Sequence, residues 1–309
     1  MSEPALATAI EADSYVENPR MREWGPGRVM QIEGAKAVVC FRDAVAEAPG
    51  DGLKTMVLRS LEPSGVQSDP WLDNLPPFKQ GRFQVSQPRV TLQQGVDELV
   101  RQFAGGFADA SYLERERAPR ESAHALFVES LGGGQGERLL AGGDSPELAK
   151  RALEVAKRAG VLNRVELAVL REGLADGAGA KNLFGALFDL LGLAGEPGPA
   201  LAGYLEAFAE LSLQVKTAPS KWSLATALPF VARPDAFLLL KPEVSKPAAE
   251  RLRFDLAYHV EPNPRTWDKQ LRMGRALLER LAPLGAQDLI DVHAYLGFVS
   301  RYGSSRAHA

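Results

Sequence analysis

The chain has a single cysteine, Cys40, in 309 residues, and one thiol closes no internal disulfide. A reducing compartment, the cytoplasm by default, is the expectation. No apolar run approaches the roughly 18 residues that cross a bilayer, so no membrane span is expected. The N-terminal run MSEPALATAIEADS lacks the basic start and apolar centre of a signal peptide. There is no basic excess either. The 36 Lys and Arg against 39 Asp and Glu leave a net charge of −3, which excludes a generally basic nucleic-acid coat protein and still permits a local patch. Four histidines (His124, His259, His293, His308) and one cysteine match no zinc-ligand spacing, so no metal and no cofactor are expected. The run Gly132-Gly133-Gly134-Gln135-Gly136 has no Lys-Ser/Thr after it and follows no strand, and reads as a flexible loop rather than a phosphate loop. No G-x-S-x-G nucleophile elbow occurs. No period of fixed length repeats, so a solenoid is not supported.

What is present begins at Tyr15, after a leader of 13 residues. Trp24-Gly25-Pro26-Gly27 is a turn, Val29–Ile32 a short strand, Glu33-Gly34 a tight turn and Ala37–Phe41 a second strand. A third strand, Leu53–Leu58, follows the break Pro49-Gly50-Asp51-Gly52. Several short strands in so little chain favour a small closed barrel. Trp24, Gly25, Gly27 and Val29, then Gly34, Val39 and Phe41, then Lys54, resemble the SH3-like or Tudor-like modules of bacterial CarD-type transcription regulators, transcription-repair coupling factors and UvrD-type helicases. The resemblance implies a docking module for RNA polymerase, a helicase, a defence component or nucleic acid, with Trp24, Arg28 and Phe41 as partner-binding residues.

Residues 61–90 are rich in Pro and polar side chains but carry Trp71, Leu75, Phe78 and Phe83, the composition of a linker that packs. The helical period dominates from there. Leu92, Val96, Leu99, Val100 and Phe103 form one apolar face, and Gly105-Gly106 ends it. Further helices are read over Tyr112–Leu131, from Ser145-Pro146-Glu147 to Gly160, through Leu174, over Lys181–Leu193 and over Pro199–Leu213. Three more follow over Ser245–Phe254, Pro264–Leu284 and Gln287–Tyr302. Between them runs KWSLATALPFVARPDAFLLLKP, residues 221–242. Its prolines argue against continuous helix, and Phe237–Leu240, bracketed by Arg233-Pro234 and Lys241-Pro242, reads as a buried strand or extended segment. Trp222, Phe230 and Phe237 are expected in the core, with Lys241 at the exit. The fold expected is therefore α+β: an SH3-like β module over 14–60, a packed linker over 61–90, and an α-helical domain over 91–302 with one short extended segment.

Between Gly106 and Val299 the chain also resembles a widespread bacterial family of helical proteins to which no activity is attached. The matching positions are Gly106-Phe107, Tyr112, Glu116-Arg117, Ala123-His124, Pro229-Phe230, Lys241-Pro242, Trp267, Asp288 and Ile290-Asp291. Trp267 stands where Tyr is usual, His293 where Gln is usual, and Leu238-Leu239-Leu240 replaces a more polar run. Both of the last two departures argue against a shared catalytic centre at those places.

Two clusters carry whatever chemistry the residues offer. Asp288 and Asp291 are three apart on a helix and share a face. Such a pair suits a divalent cation in a hydrolase or nuclease-like site. It equally suits a first-turn acid at the helix N-terminus with Asp291 paired to a buried Arg or Lys, and that architectural reading is preferred. The run Glu114-Arg115-Glu116-Arg117 reads as a solvated face, with Glu116 as the partner of Arg117 if that side is buried against Lys241. Lys241, Lys246 and Arg253, with Arg251, Arg272 and Arg275 nearby in sequence, form a candidate phosphate-backbone patch, interspersed with acids as ordinary surface charge is. The expectation is a non-enzymatic adaptor acting in transcription, DNA repair or phage defence. The alternative is an enzyme with its acidic site at Asp288 and Asp291.

Overall fold

The structure, a computed structural model, describes residues 10–44, 52–192, 198–213 and 220–303. Pro49, Gly50, Asp51, most of the leader and His308 lie outside the described residues. The chain is mixed α+β, and it divides into two units, Met1–Thr91 with Ala249–Asp255, and Leu92–Ala248 with Leu256–Ala309. No described helix is long and apolar enough to cross a membrane.

In the first unit, five antiparallel strands lie in the order β4-β3-β2-β1-β5. They are β1 (Tyr15–Glu17), β2 (Gly27–Glu33), β3 (Lys36–Phe41), β4 (Leu53–Val57) and β5 (Glu62–Pro63). β2 and β3 form the expected hairpin, closing at the Glu33↔Lys36 pair, with a register shift between Val29 and Gln31. Alternation sends Val29, Ala37, Val39 and Phe41 into one core with Val16 and Leu61, while Trp24, Ile32 and Met56 pack at its margin. Gly27 is required by close approach: a Cβ there would lie 2.6 Å from the Phe41 ring.

The segment read as a linker packs as part of this unit. Leu72, Phe83 and Val90 are buried, and β6 (Phe78–Lys79) and β7 (Arg82–Phe83) make a small hairpin. Trp71 donates its indole N–H to the Leu252 carbonyl at 3.1 Å and meets the Phe254 ring edge-on at 5.2 Å. Val90 N–H reaches the Arg251 carbonyl at 2.9 Å. The sequence does not show that residues 249–255 would be the surface this segment packs on.

The second unit is helical. It opens with α1 (Leu92–Gln102) and α2 (Ala110–Tyr112), then a π-helical turn, Leu113–Arg117, that runs into α3 (Ala118–Ser130). α4 (Gln135–Ala141), α5 (Ser145–Ala159), α6 (Arg164–Leu174), α7 (Gly177–Gly192) and α8 (Gly198–Ala209) follow. α9 (Ser220–Ala232), α10 (Pro242–Arg251), which runs on into the first unit, α11 (Pro264–Leu281) and α12 (Leu289–Arg301) complete it. The ends obey capping chemistry. Asp144, one residue before the expected Ser145, accepts from Glu147 N–H at 3.2 Å; Asn163 makes a full capping box with Glu166; Asn263 accepts from Thr266 N–H at 2.9 Å. The glycine run 132–136 is not all loop, because α4 starts inside it at Gln135.

The stretch 221–242 departs most from expectation. Its first half is helix α9, with Pro229 inside, and every residue from Trp222 to Ala232 is buried. A helix surrounded by protein has no polar face, so its sequence carries no 3.6-residue period to read. Proline at 229 removes the N–H that would bond the Ala225 carbonyl. The Tyr204 hydroxyl supplies the bond instead, at 2.8 Å. The second half, Phe237–Leu240, is buried as expected but forms no strand, because no strand runs beside it among the described residues of this unit. Its hydrogen bonds go elsewhere: Phe237 N–H to Arg233 O (2.9 Å), Leu240 N–H to Thr226 Oγ1 (3.0 Å) and Leu239 O from Gln270 Nε2 (3.3 Å).

Candidate functional site

The acidic pair is real, and it is spent. Asp288, at the N-cap of α12, accepts from Ile290 N–H at 2.9 Å and takes both terminal nitrogens of Arg117, at 2.7 and 3.2 Å. Asp291, 1% exposed, accepts from Arg117 Nη1 at 2.8 Å, Tyr112 Oη at 2.6 Å and Gln287 N–H at 2.7 Å. Arg117 Nε adds Glu121 at 2.7 Å. The π-helical turn that ends at Arg117 brings this side chain inward, where it is 6% exposed. Burial works against the Arg117 charge, but the Asp288 hydrogen bond and the charges of Asp291 and Asp288 outweigh it and hold its pKa above the ordinary arginine value. Burial and the Asp291 charge push the Tyr112 phenol up, so it remains a donor. Arg117 is therefore not on a solvated face, and its partners are these acids, not Glu116.

A second cluster gathers around the last turns of α9. His124 Nδ1 on α3 lies 2.9 Å from the Val231 carbonyl. The His293 ring on α12 lies 5.6 Å from the Phe230 ring. Thr226 Oγ1 on α9 accepts from Leu240 N–H at 3.0 Å, and Lys241 is the next residue along the chain. Arg120, one turn before His124, has 15% of its side chain exposed, faces Glu116 at 3.4 Å and donates to the Arg115 carbonyl at 3.1 Å. Lys241 is half-buried and forms no ion pair among the described residues. His293 Nε2 is buried without a hydrogen-bond partner among the described residues. Burial first, then the charges of Arg120 and Lys241, push the His293 pKa down to about 3. His293 is two residues beyond Asp291, roughly 200° around the helix at 100° per residue. The carboxylates and the Lys241 cluster thus meet α12 on different faces.

The other expected residues are distributed as follows. Phe41 is 0% exposed in the sheet core and offers no contact surface, contrary to expectation: inward alternation on β3 puts it there. Trp24 is half-buried, 5.2 Å from the Phe41 ring, with Lys54 Nζ 5.2 Å from its own centroid. Arg28 is tied to Asp13 (2.9 Å) and to the Leu72 carbonyl (2.9 Å). Lys246 is exposed and lies 4.6 Å over the Tyr258 ring. Arg253, 5% exposed, donates to the Gln87 carbonyl at 3.0 Å and to the Glu250 carbonyl, with its own backbone at φ +60°. Arg253 is buried in the turn after α10 and is not a surface cation, so the expected phosphate-backbone patch loses it. Arg251 is also buried, and desolvation lowers its pKa. A surface groove of about 210 Å³ between α5 and α6, lined by Lys150, Glu154, Lys157 and Arg171 over Leu153 and Leu167, shares no residue with either cluster.

Sequence reasoning anticipated that Asp291 would pair with a buried Arg or Lys. It did not anticipate Tyr112 as the partner of Asp291, because a contact between residues 179 positions apart leaves no local signal. Comparison with protein-family models, with curated proteins and with solved structures finds no match for the chain.

Proposed function

We propose that this chain is a non-enzymatic adaptor whose sheet unit is an SH3-like module that docks a protein partner, while the helical unit is its scaffold. The observation that supports this reading is the saturation of Asp288 and Asp291. Four of their hydrogen bonds come from Arg117 and Tyr112 and two more from backbone N–H groups. A general base or a metal ligand in that place would first have to break a buried ion pair, which costs about 3–5 kcal/mol when one partner is lost. Such a network holds α12 against α2 and the π-helical turn and spends its charge on architecture.

On the sheet unit, the half-buried indole of Trp24, with the Lys54 ammonium over it, is an aromatic of the kind enriched at interface hot spots. Lys54 lies on β4, an edge strand. The reading is tested by cross-linked capture from extract of the native host, comparing the natural chain with Lys54→Glu. Lys54 is a cleaner probe than Trp24, which also packs on the core. A protein held by the natural chain should be held about tenfold more weakly, or lost, by Lys54→Glu at unchanged melting temperature. Equal capture by both chains would remove this face as the docking site.

A further inference from the structure

We propose that the groove between α5 and α6 docks an acidic amphipathic segment of a partner protein. The segment sets an apolar side chain on Leu153 and Leu167 and brings its carboxylates to Lys150, Lys157 and Arg171. This site stands independently of the docking assigned to the sheet unit, and it lies wholly in the helical unit. Helical spacing builds it. Lys150, Leu153, Glu154 and Lys157 recur at intervals of three and four along α5 and share a face, and Leu167 and Arg171 do the same at four residues on α6. The core takes a different stripe of each helix, with Ala152, Val155 and Ala159 of α5 and Leu170 and Leu174 of α6 buried in it. Leu153 and Leu167 lie outside those stripes and are only half-buried.

Size, sign and surface choose the occupant. At about 210 Å³ the groove is smaller than the roughly 300–1,000 Å³ of sites that enclose a whole small molecule, so it receives one part of something larger. Its lining sets three cations against the single carboxylate of Glu154, in a chain whose net charge is −3. Lys157 and Arg171 are exposed and form no ion pair among the described residues. Lys150 reaches Glu147 at 3.2 Å, but Arg151 already holds that carboxylate at 2.8 Å. Charge complementarity therefore asks for an acidic partner. The floor is leucine, extended by the apolar stems of the long cations, and no aromatic ring lines it on which a nucleobase could stack. The apolar stripes of both helices are spent in the core, which leaves none to enter a lipid surface. A leucine floor between two helices with charged edges suits a helix laid in the groove, anchored by apolar residues three or four apart. Glu154, among the cations, opposes the carboxylates of that segment and limits where they can stand.

Selection of random peptides of about 12 residues, some three helical turns, displayed on phage against the immobilised full chain tests this. Fluorescence anisotropy of the enriched peptides, made synthetically and labelled, then reads their affinity. They are expected to carry several Asp or Glu around a leucine or phenylalanine. Lys157→Glu combined with Arg171→Glu, both at exposed positions, is expected to weaken them about tenfold at unchanged melting temperature, and Glu154→Gln to tighten them about threefold. Serine in place of the peptide's apolar anchor is expected to abolish binding. Enrichment of basic or uncharged peptides overturns the proposal, as do acidic peptides held equally by the natural chain and the double variant. Failure to enrich any peptide overturns it too. Binding of a single-stranded oligonucleotide, a phosphatidylserine vesicle or a second copy of the chain, lost in the double variant, would then name the occupant.

Discussion

At the scale of single residues, the second unit treats its buried charges in two opposite ways. Arg117 is surrounded by more carboxylate than it can neutralise, and every hydrogen bond of Asp291 is directed at it, at Tyr112 or at a backbone amide. His293 has no such company. Its Nε2 is buried without a hydrogen-bond partner among the described residues, and burial together with the charges of Arg120 and Lys241 disfavours a proton on the ring. A proton is therefore unwelcome on the folded protein and welcome on the unfolded one. The unfolded value is near 6.5 and the folded value about 3. Between these limits the unfolded chain binds more protons, so stability is fully present above pH 6.5 and is lost as pH falls toward 3. The slope contributed by this one group approaches about 1.4 kcal/mol per pH unit. Denaturant unfolding in chloride buffer between pH 7 and pH 4 is expected to show this loss in the natural chain. His293→Gln should show a shallower decline, and parallel curves would mean that His293 is protonated in the folded state.

At the scale of elements, α9 organises the helical unit because it is buried on all sides, and a helix in that position must satisfy each backbone group without water. Pro229 breaks its ladder at Ala225, and Tyr204 of α8 repairs the break. Tyr204→Phe should then leave a buried carbonyl unpaired and cost about 1–3 kcal/mol. In a Pro229→Ala background, where the residue 229 N–H returns, the same change should cost clearly less. A double-mutant cycle by denaturant unfolding reads the difference, and additive effects would show that the hydroxyl does not serve that carbonyl.

This element also shows what the sequence makes legible. The helices with caps and one apolar stripe, such as α5 after Asp144-Ser145-Pro146 and α11 after Asn263-Pro264, are readable because those signals are local. The β2–β3 hairpin is readable for the same reason. α9 is not, because full burial erases its period and Pro229 reads as a breaker. The run Phe237–Leu240 is legible as a buried strand or extended segment, and it is the extended segment, since its bonds come from the side chains of Thr226 and Gln270 and from no neighbouring strand. The partnership of Arg117 with residues 171 and 174 positions away has no signature within its own charge run. Only the spacing of Asp288 and Asp291 hints at it.

At the scale of the whole molecule, the two units divide chemistry as they divide the chain. The sheet unit has a small core and an edge strand carrying Lys54 beside Trp24. The helical unit has the buried ion-pair network of Arg117 with Asp288 and Asp291. The segments 61–90 and 249–255 belong to the sheet unit, joined by Trp71 with Leu252 and Phe254 and by Val90 with Arg251. Basic residues counted from the sequence do not make one surface, since Arg253 is buried and Lys246 leans on Tyr258. That partner docking belongs to the sheet unit is tested most directly by hydrogen–deuterium exchange on the full chain with and without the protein captured from its host. Protection is expected over the Trp24 turn and over β4, Leu53–Val57, with exchange in α9, α11 and α12 unchanged. Protection confined to the helical unit, with the Trp24 turn and β4 exchanging as freely as before, would contradict it.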